Sequence, residues 1–136
     1  MALPYTLVPL TRKTIGLIVL QADETLEADL RRLLPADVDI LVSRVPSGTT
    51  VSSDALAEMA KTLTGAAGLF PRGMTFDAIG YGCTSGTAEI GSAKIAGLIR
   101  AGTDARAITE PVSALIAACK TEGISRIGLI LSLIHI

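Results

Sequence analysis

"FDAIGYGCTSGTAEIG", residues 76–91, passes from an apolar run through closely spaced glycines into a helical pattern. Residues 76–82 read as a strand, the small residues 82–86 as a sharp turn, and the segment from Thr87 onward as a helix. A strand that turns directly into a helix is half of a βαβ unit, and repeating such units builds a parallel sheet covered by helices.

The same alternation extends outward in both directions. Upstream, "TIGLIVL" (14–20) has the unbroken apolar character of a strand buried on both faces, and "TLEADLRRLL" repeats Leu26, Leu30, Leu33 and Leu34 at helical spacing until Pro35 stops it. "VDILVSRV" (38–45) is a second strand ended by the turn formers "PSGTT". A second helix then opens on Ser52 or Ser53 as N-cap and runs to about Gly65 or Gly68. Downstream, the spacing predicts one continuous helix over 87–102 closed by Gly102, and a short strand over 105–108. Next come a helix with Pro111 in its first turn and Gly123 at its end, and a last strand over 125–134. The expected fold is α/β, a flavodoxin-like doubly wound parallel sheet. Its domain occupies residues 14–122. Residues 123–131 read as the first strand of a truncated second domain, and 132–136 as an anomalous tail of foreign or frame-shifted character.

Composition agrees with this reading. Hydrophobic residues make up 49% of the 136, enough for one core, while aromatics are only 3%, so the core is built from Ala, Val, Ile and Leu. Twelve basic and thirteen acidic residues give a formal charge of −1 without any Lys/Arg cluster, which argues against nucleic acid as a partner. The longest apolar runs fall short of the roughly 20 residues that span a bilayer, and the N-terminus lacks a signal-peptide pattern, so the expected location is the cytoplasm, away from membranes. Cys83 and Cys119 are then expected to be free thiols. A homo-oligomer is compatible with the sequence, which carries no signal for or against one.

In open α/β sheets, ligands bind beyond the carboxyl ends of the strands, and the third strand delivers Gly82, Cys83, Thr84, Ser85 and Gly86 to that edge. Gly80, Gly82 and Gly86 are expected to let the backbone approach a ligand, and the following helix start to favour an anion. That anion is either a substrate carboxylate or the thiolate of Cys83, since helix starts lower thiol pKa values. Thr84 and Ser85 add hydroxyl donors. The competing reading is a buried cysteine acting as a small hydrophobe.

Other motifs fail on position. Gly80, Gly82 and Gly86 follow the third strand rather than the first of a dinucleotide unit. Gly86 and Gly91 have P-loop spacing but are followed by Ser92 and Ala93, and Tyr81 and Ser85 stand where a nucleophile elbow needs glycines. No His/Cys/Asp/Glu grouping has metal-ligand spacing. His135 lies in the tail, and Glu110, just before Pro111, reads as an acid facing a helix start.

Together, "IGLIVLQADETLEADLRRLLP", "VSRVP", "FDAIGYGCTSGTAEIG" and "ITEPVSALIAACKTEGISRIGLI", in this order, resemble the N-terminal half of the aspartate/glutamate racemase superfamily. The branch most similar is that of maleate cis-trans isomerases and arylmalonate decarboxylase-like proteins. The resemblance runs from residue 14 to about 131. It implies two similar α/β domains with the site between them, one catalytic cysteine from each in the racemases and isomerases, and no cofactor. By the match Cys83 is the first of that pair, and Thr84 and Ser85 hold a substrate carboxylate. Asp23 occupies a substrate-contacting position that is usually Asn in the maleate isomerases. An ionised carboxylate there would repel a dicarboxylate, so the substrate's identity stays open. The second cysteine belongs to the domain beyond this chain. Cys119, inside a helical pattern, cannot replace it, and the tyrosine-bearing loop of the family reads Ser132, Leu133, Ile134.

The implied function is a cofactor-independent isomerase, racemase or decarboxylase of a small carboxylic acid, of which this chain carries the first cysteine and is therefore expected to be inactive alone. The alternative is a small-anion binding or regulatory α/β module without catalysis.

Overall fold

The computed structural model describes residues 12–48 and 52–128 together with Pro4 and Thr6. Among these, strands and helices follow one another as β1 (Lys13–Leu20), α1 (Leu26–Leu33), β2 (Val38–Val45), α2 (Ser53–Ala67), β3 (Thr75–Tyr81), α3 (Thr84–Ile90), α4 (Ser92–Gly102), β4 (Asp104–Thr109) and α5 (Pro111–Thr121). The four strands form one sheet in the order β2-β1-β3-β4, and every pairing is parallel. The chain winds outward from β1 to β2, then returns past β1 to build β3 and β4 on the other side. This is the doubly wound, flavodoxin-like arrangement, and its order reverses between β1 and β3.

Burial follows from the strand composition. Leu17, Ile18 and Val19 are buried in succession, which requires cover on both faces of β1 because consecutive strand residues point to opposite sides. On one face Ile18, Val45, Ile79 and Tyr81 pack with Met59 and Leu63 of α2 and Ile95 and Ile99 of α4. Ser43, the buried polar residue of β2, spends its hydroxyl on the Ala66 carbonyl at 2.6 Å. On the other face lies α1, which buries none of its residues completely. The Phe70 and Phe76 rings, 4.8 Å apart, close the end of the core where α2 passes to β3.

Local chemistry sets the helix ends. Ser52 Oγ accepts the Ala55 amide to start α2, and Pro111 sits in the first turn of α5. The continuous helix expected over 87–102 is instead two helices, and it begins earlier, at Thr84. Gly91 breaks it with φ of 89°, a left-handed conformation that glycine adopts without strain. Of the strand expected over 125–134, residues 125–128 are irregular and 129–134 lie outside the described residues, as does the tail with His135. Among the described residues no helix is long and apolar enough to cross a membrane.

Candidate functional site at the switch point

Parallel pairing brings the loops after β1 and β3 to the same sheet edge, side by side at the switch point. The Gly82 amide donates to the Ile18 carbonyl at 2.8 Å, so the β3 turn begins beside the end of β1. Asp23 and the Cys83–Ser85 turn therefore occupy adjacent positions on this edge.

Asp23 shapes its own loop. Its Oδ1 accepts the amides of Thr25 at 3.1 Å and Leu26 at 2.9 Å, which starts α1, while the Asp23 carbonyl accepts from Arg44 Nη1 at 2.7 Å. Arg44 also donates to the Leu20 and Gln21 carbonyls, tying the whole β1–α1 turn to β2. The carboxylate expected to meet substrate thus already has a structural task on one oxygen.

Cys83 is the N-cap of α3. Its Sγ accepts the Gly86 amide at 3.2 Å, and its carbonyl accepts the Thr87 hydroxyl at 2.7 Å. The residue is only 7% exposed. Thr84 and Ser85 follow in the first turn of α3, both half-buried, and among the described residues neither hydroxyl is engaged in a hydrogen bond.

Two glycines of this turn serve packing rather than ligand approach. A Cβ on Gly82 would collide with Leu26 Cδ2, and one on Gly86 would stand 2.7 Å from Tyr81 Oη, 3.0 Å from Cys83 Sγ and 3.1 Å from Met59 Cε. Only Gly80 has room, its nearest neighbour being Leu17 Cδ1 at 3.7 Å. The expectation that all three open space for a ligand is corrected accordingly: side chains of α1 and α2 fill what the missing Cβ atoms leave.

Tyr81 is the partner that the sequence reading overlooked. It is buried, its hydroxyl donates to Met59 Sδ at 3.9 Å, and it meets the Cys83 sulfur across the bare α-carbon of Gly86. Burial first, and then the charge and hydrogen bond of Cys83, push its phenol well above the ordinary tyrosine range. The signal was present: Tyr81 and Cys83 are two residues apart at a strand end and so share a face. Glu110, also at the carboxyl edge, is 5% exposed and accepts the amides of Val112 at 2.8 Å and Ser113 at 3.0 Å, the helix-start role read from sequence.

Cys119 is unpaired, as is Cys83, and lies on α5 in a shallow groove with Leu115, Ile116 and Ile124. A cavity of about 510 Å³ opens at the opposite edge, among Arg72, Thr75 and Asp104 where β3 and β4 begin. It is remote from the carboxyl ends of the strands, the edge at which this architecture binds ligands. A smaller one, about 330 Å³, lies at the carboxyl end of β2 between Pro46, Gly48 and Met59. Among the described residues no three metal-ligating side chains converge.

These elements define a doubly wound α/β domain whose switch point carries a cysteine turn. No family model matches the chain, and no curated protein matches it. Among solved structures it is similar to the maleate isomerase Iso from Pseudomonas putida S16, with a TM-score of 0.63 and 20% sequence identity over 83% of this chain. The likeness is one of fold. The chain spans 50% of the length of that protein's chain.

Proposed function

We propose that this domain belongs to a cofactor-independent isomerase or racemase of a small carboxylic acid, with Cys83 as one of two reacting thiols. The observation that supports the reading is the position of Cys83 at the β1/β3 switch point, with the Gly86 N–H directed at its sulfur and Thr84 and Ser85 following it in the first turn of α3. A donor aimed at sulfur favours negative charge there.

In the isomerase form of the reaction, the thiolate adds to one alkene carbon of an unsaturated acid. The π pair moves into the neighbouring carboxylate, rotation occurs about the resulting single bond, and expulsion of the thiolate restores the alkene in the other geometry. Atoms and oxidation level are unchanged, and no cofactor is consumed. In the racemase form, one thiolate removes the proton next to the carboxylate while a thiol on the opposite face supplies another. Thr84 and Ser85 orient the carboxylate in both. The second thiol comes from outside this chain, consistent with a span of half the length of the structurally similar isomerase.

The test is an assay of the longest product of this gene with maleate, aspartate and arylmalonates, repeated with Cys83→Ala. Loss of turnover in the variant supports the role, and unchanged turnover excludes it. The burial of Cys83 favours a second reading, an anion-binding module without catalysis. Iodoacetamide separates the two, because a thiol poised for reaction labels faster than Cys119 near neutral pH, whereas a merely structural one does not.

A further inference from the structure

Three side-chain ends converge on the bare α-carbon of Gly86. A single carbon placed there would touch the Tyr81 hydroxyl, the Cys83 sulfur and the Met59 methyl, all within 3.1 Å. The Tyr81 hydroxyl has one proton, which it gives to Met59 Sδ at 3.9 Å, while a second sulfur, Cys83 Sγ, stands across the Gly86 α-carbon from it. Both are weak acceptors when neutral, but a thiolate is a far stronger one. Among the described residues no oxygen or nitrogen competes for this proton, and no buried side-chain polar atom is left without a partner.

We infer that Tyr81 is a positioning residue for the sulfur of Cys83: its hydroxyl turns from Met59 to Cys83 when that sulfur becomes anionic, and with the Gly86 amide it holds the thiolate in one place. The inference rests on the reading that Cys83 works as a thiolate. Three features carry it. The hydroxyl is buried, so water does not offer it an alternative partner. The phenol is held protonated by its surroundings, so it stays a donor wherever a thiolate forms. The amide donor and the phenol donor belong to different elements, α3 and β3, so they approach the sulfur independently. Gly86 is required for this grouping, because any larger residue would stand between phenol and sulfur.

Among the described residues Cys83 is the titratable group that acts on the phenol, and the phenol hydroxyl can be removed while the Gly86 amide stays in place. The experiment measures iodoacetamide labelling of Cys83 across pH 6–10 in a Cys119→Ser background, comparing the otherwise unchanged chain with Tyr81→Phe and Met59→Leu. Loss of a hydrogen bond to a charged sulfur, partly offset by the higher intrinsic reactivity of a less stabilised thiolate, slows labelling of Tyr81→Phe by about three- to tenfold at pH 7. The gap narrows towards pH 10, where thiols ionise without help. Met59→Leu, which removes only the competing acceptor, labels at the original rate or faster. Equal or faster labelling of Tyr81→Phe at pH 7, or equal slowing in Met59→Leu, would overturn the inference, because the hydroxyl would then only fill space. If Tyr81→Phe does not fold, tyrosinate absorbance decides: Cys83→Ala should let Tyr81 ionise at lower pH, and an unchanged titration counts against it. Absence of turnover with any carboxylate would reject the functional reading while leaving the labelling comparison intact.

Discussion

Leu26 stands directly against the bare α-carbon of Gly82, so the start of α1 and the cysteine turn share one contact at the switch point. The same residue is fixed from behind, its amide donating to Asp23 Oδ1 at 2.9 Å. Gly82→Ala would force the Leu26 methyl aside, whereas the Ile18 carbonyl at 3.5 Å would be in ordinary contact. The expected cost is about 1–3 kcal/mol, in the range of over-packed cores. Urea unfolding measures it as a lower midpoint at unchanged slope; a midpoint equal to that of the parent would mean that Leu26 yields freely.

Gly102 should be less forgiving than Gly82. A Cβ there would run into the Thr64 carbonyl and stand 2.9 Å from the Gly68 amide, both backbone atoms of the segment on which α4 packs. Backbone cannot swing away as a leucine methyl can. Gly97, inside α4, has nothing within 4 Å of the same position. Gly97→Ala is expected to stabilise by about 0.5–1 kcal/mol through helix propensity alone, while Gly102→Ala destabilises by more than Gly82→Ala. Thermal melts of the three variants test the order, and Gly102→Ala melting above Gly82→Ala would refute the packing argument.

Glu110 offers a local test. Its carboxylate accepts two amides at the start of α5, a helix with no fully buried residue. Glu110→Ala removes a cap worth about 1–2 kcal/mol, but the loss should appear in α5 rather than in the whole domain. Hydrogen exchange at Val112 and Ser113 is expected to accelerate while the amides of β1 and β3 keep their protection. Uniform acceleration would mean that α5 is coupled to the core more strongly than its exposure indicates.

Asp23 bears on specificity. Within the proposed reaction, its negative charge beside the cysteine turn disfavours a second substrate carboxylate. Asp23→Asn keeps an oxygen for the Thr25 and Leu26 amides and removes the charge. The variant should lower KM for dicarboxylates relative to monocarboxylates, with kcat changed less. An unaltered KM ratio would assign Asp23 to the helix start alone.

Much of this arrangement was legible in the sequence, for physical reasons. β1 was readable to within a residue because a doubly covered strand must be apolar throughout, β2 because its β-branched and apolar residues end abruptly at the turn formers after Val45, and Pro35 and Ser52 mark helix ends by chemistry that acts within one turn. Cys83 was placed in the turn ahead of a helix because a strand, a turn and a helix in succession leave it nowhere else, although that helix starts at Thr84 rather than Thr87. The break at Gly91 was missed because the apolar spacing of 87–102 runs through it, and a glycine in a helical pattern does not reveal its φ. The purpose of Gly82 and Gly86 was misread for another reason: what fills the space of a missing side chain comes from α1 and α2, distant in sequence. The Tyr81 contact needed strand parity to be applied past the end of the strand.

Tyr81 also sets an alkaline limit on stability. Burial and the neighbouring sulfur raise its folded pKa above the unfolded value of about 10. The native state therefore holds the proton more tightly than the unfolded chain does. The associated stability is present in full below about pH 10, and is lost as pH rises from there towards the folded value, because only the unfolded state gains by ionising. Tyr81→Phe has no such proton and should be less sensitive between pH 9 and 11.5, even though it begins from a lower baseline. Urea unfolding at both pH values gives the two slopes. If parent and variant decline in parallel, the alkaline loss arises from other groups, and the phenol is not held as the packing around Gly86 requires.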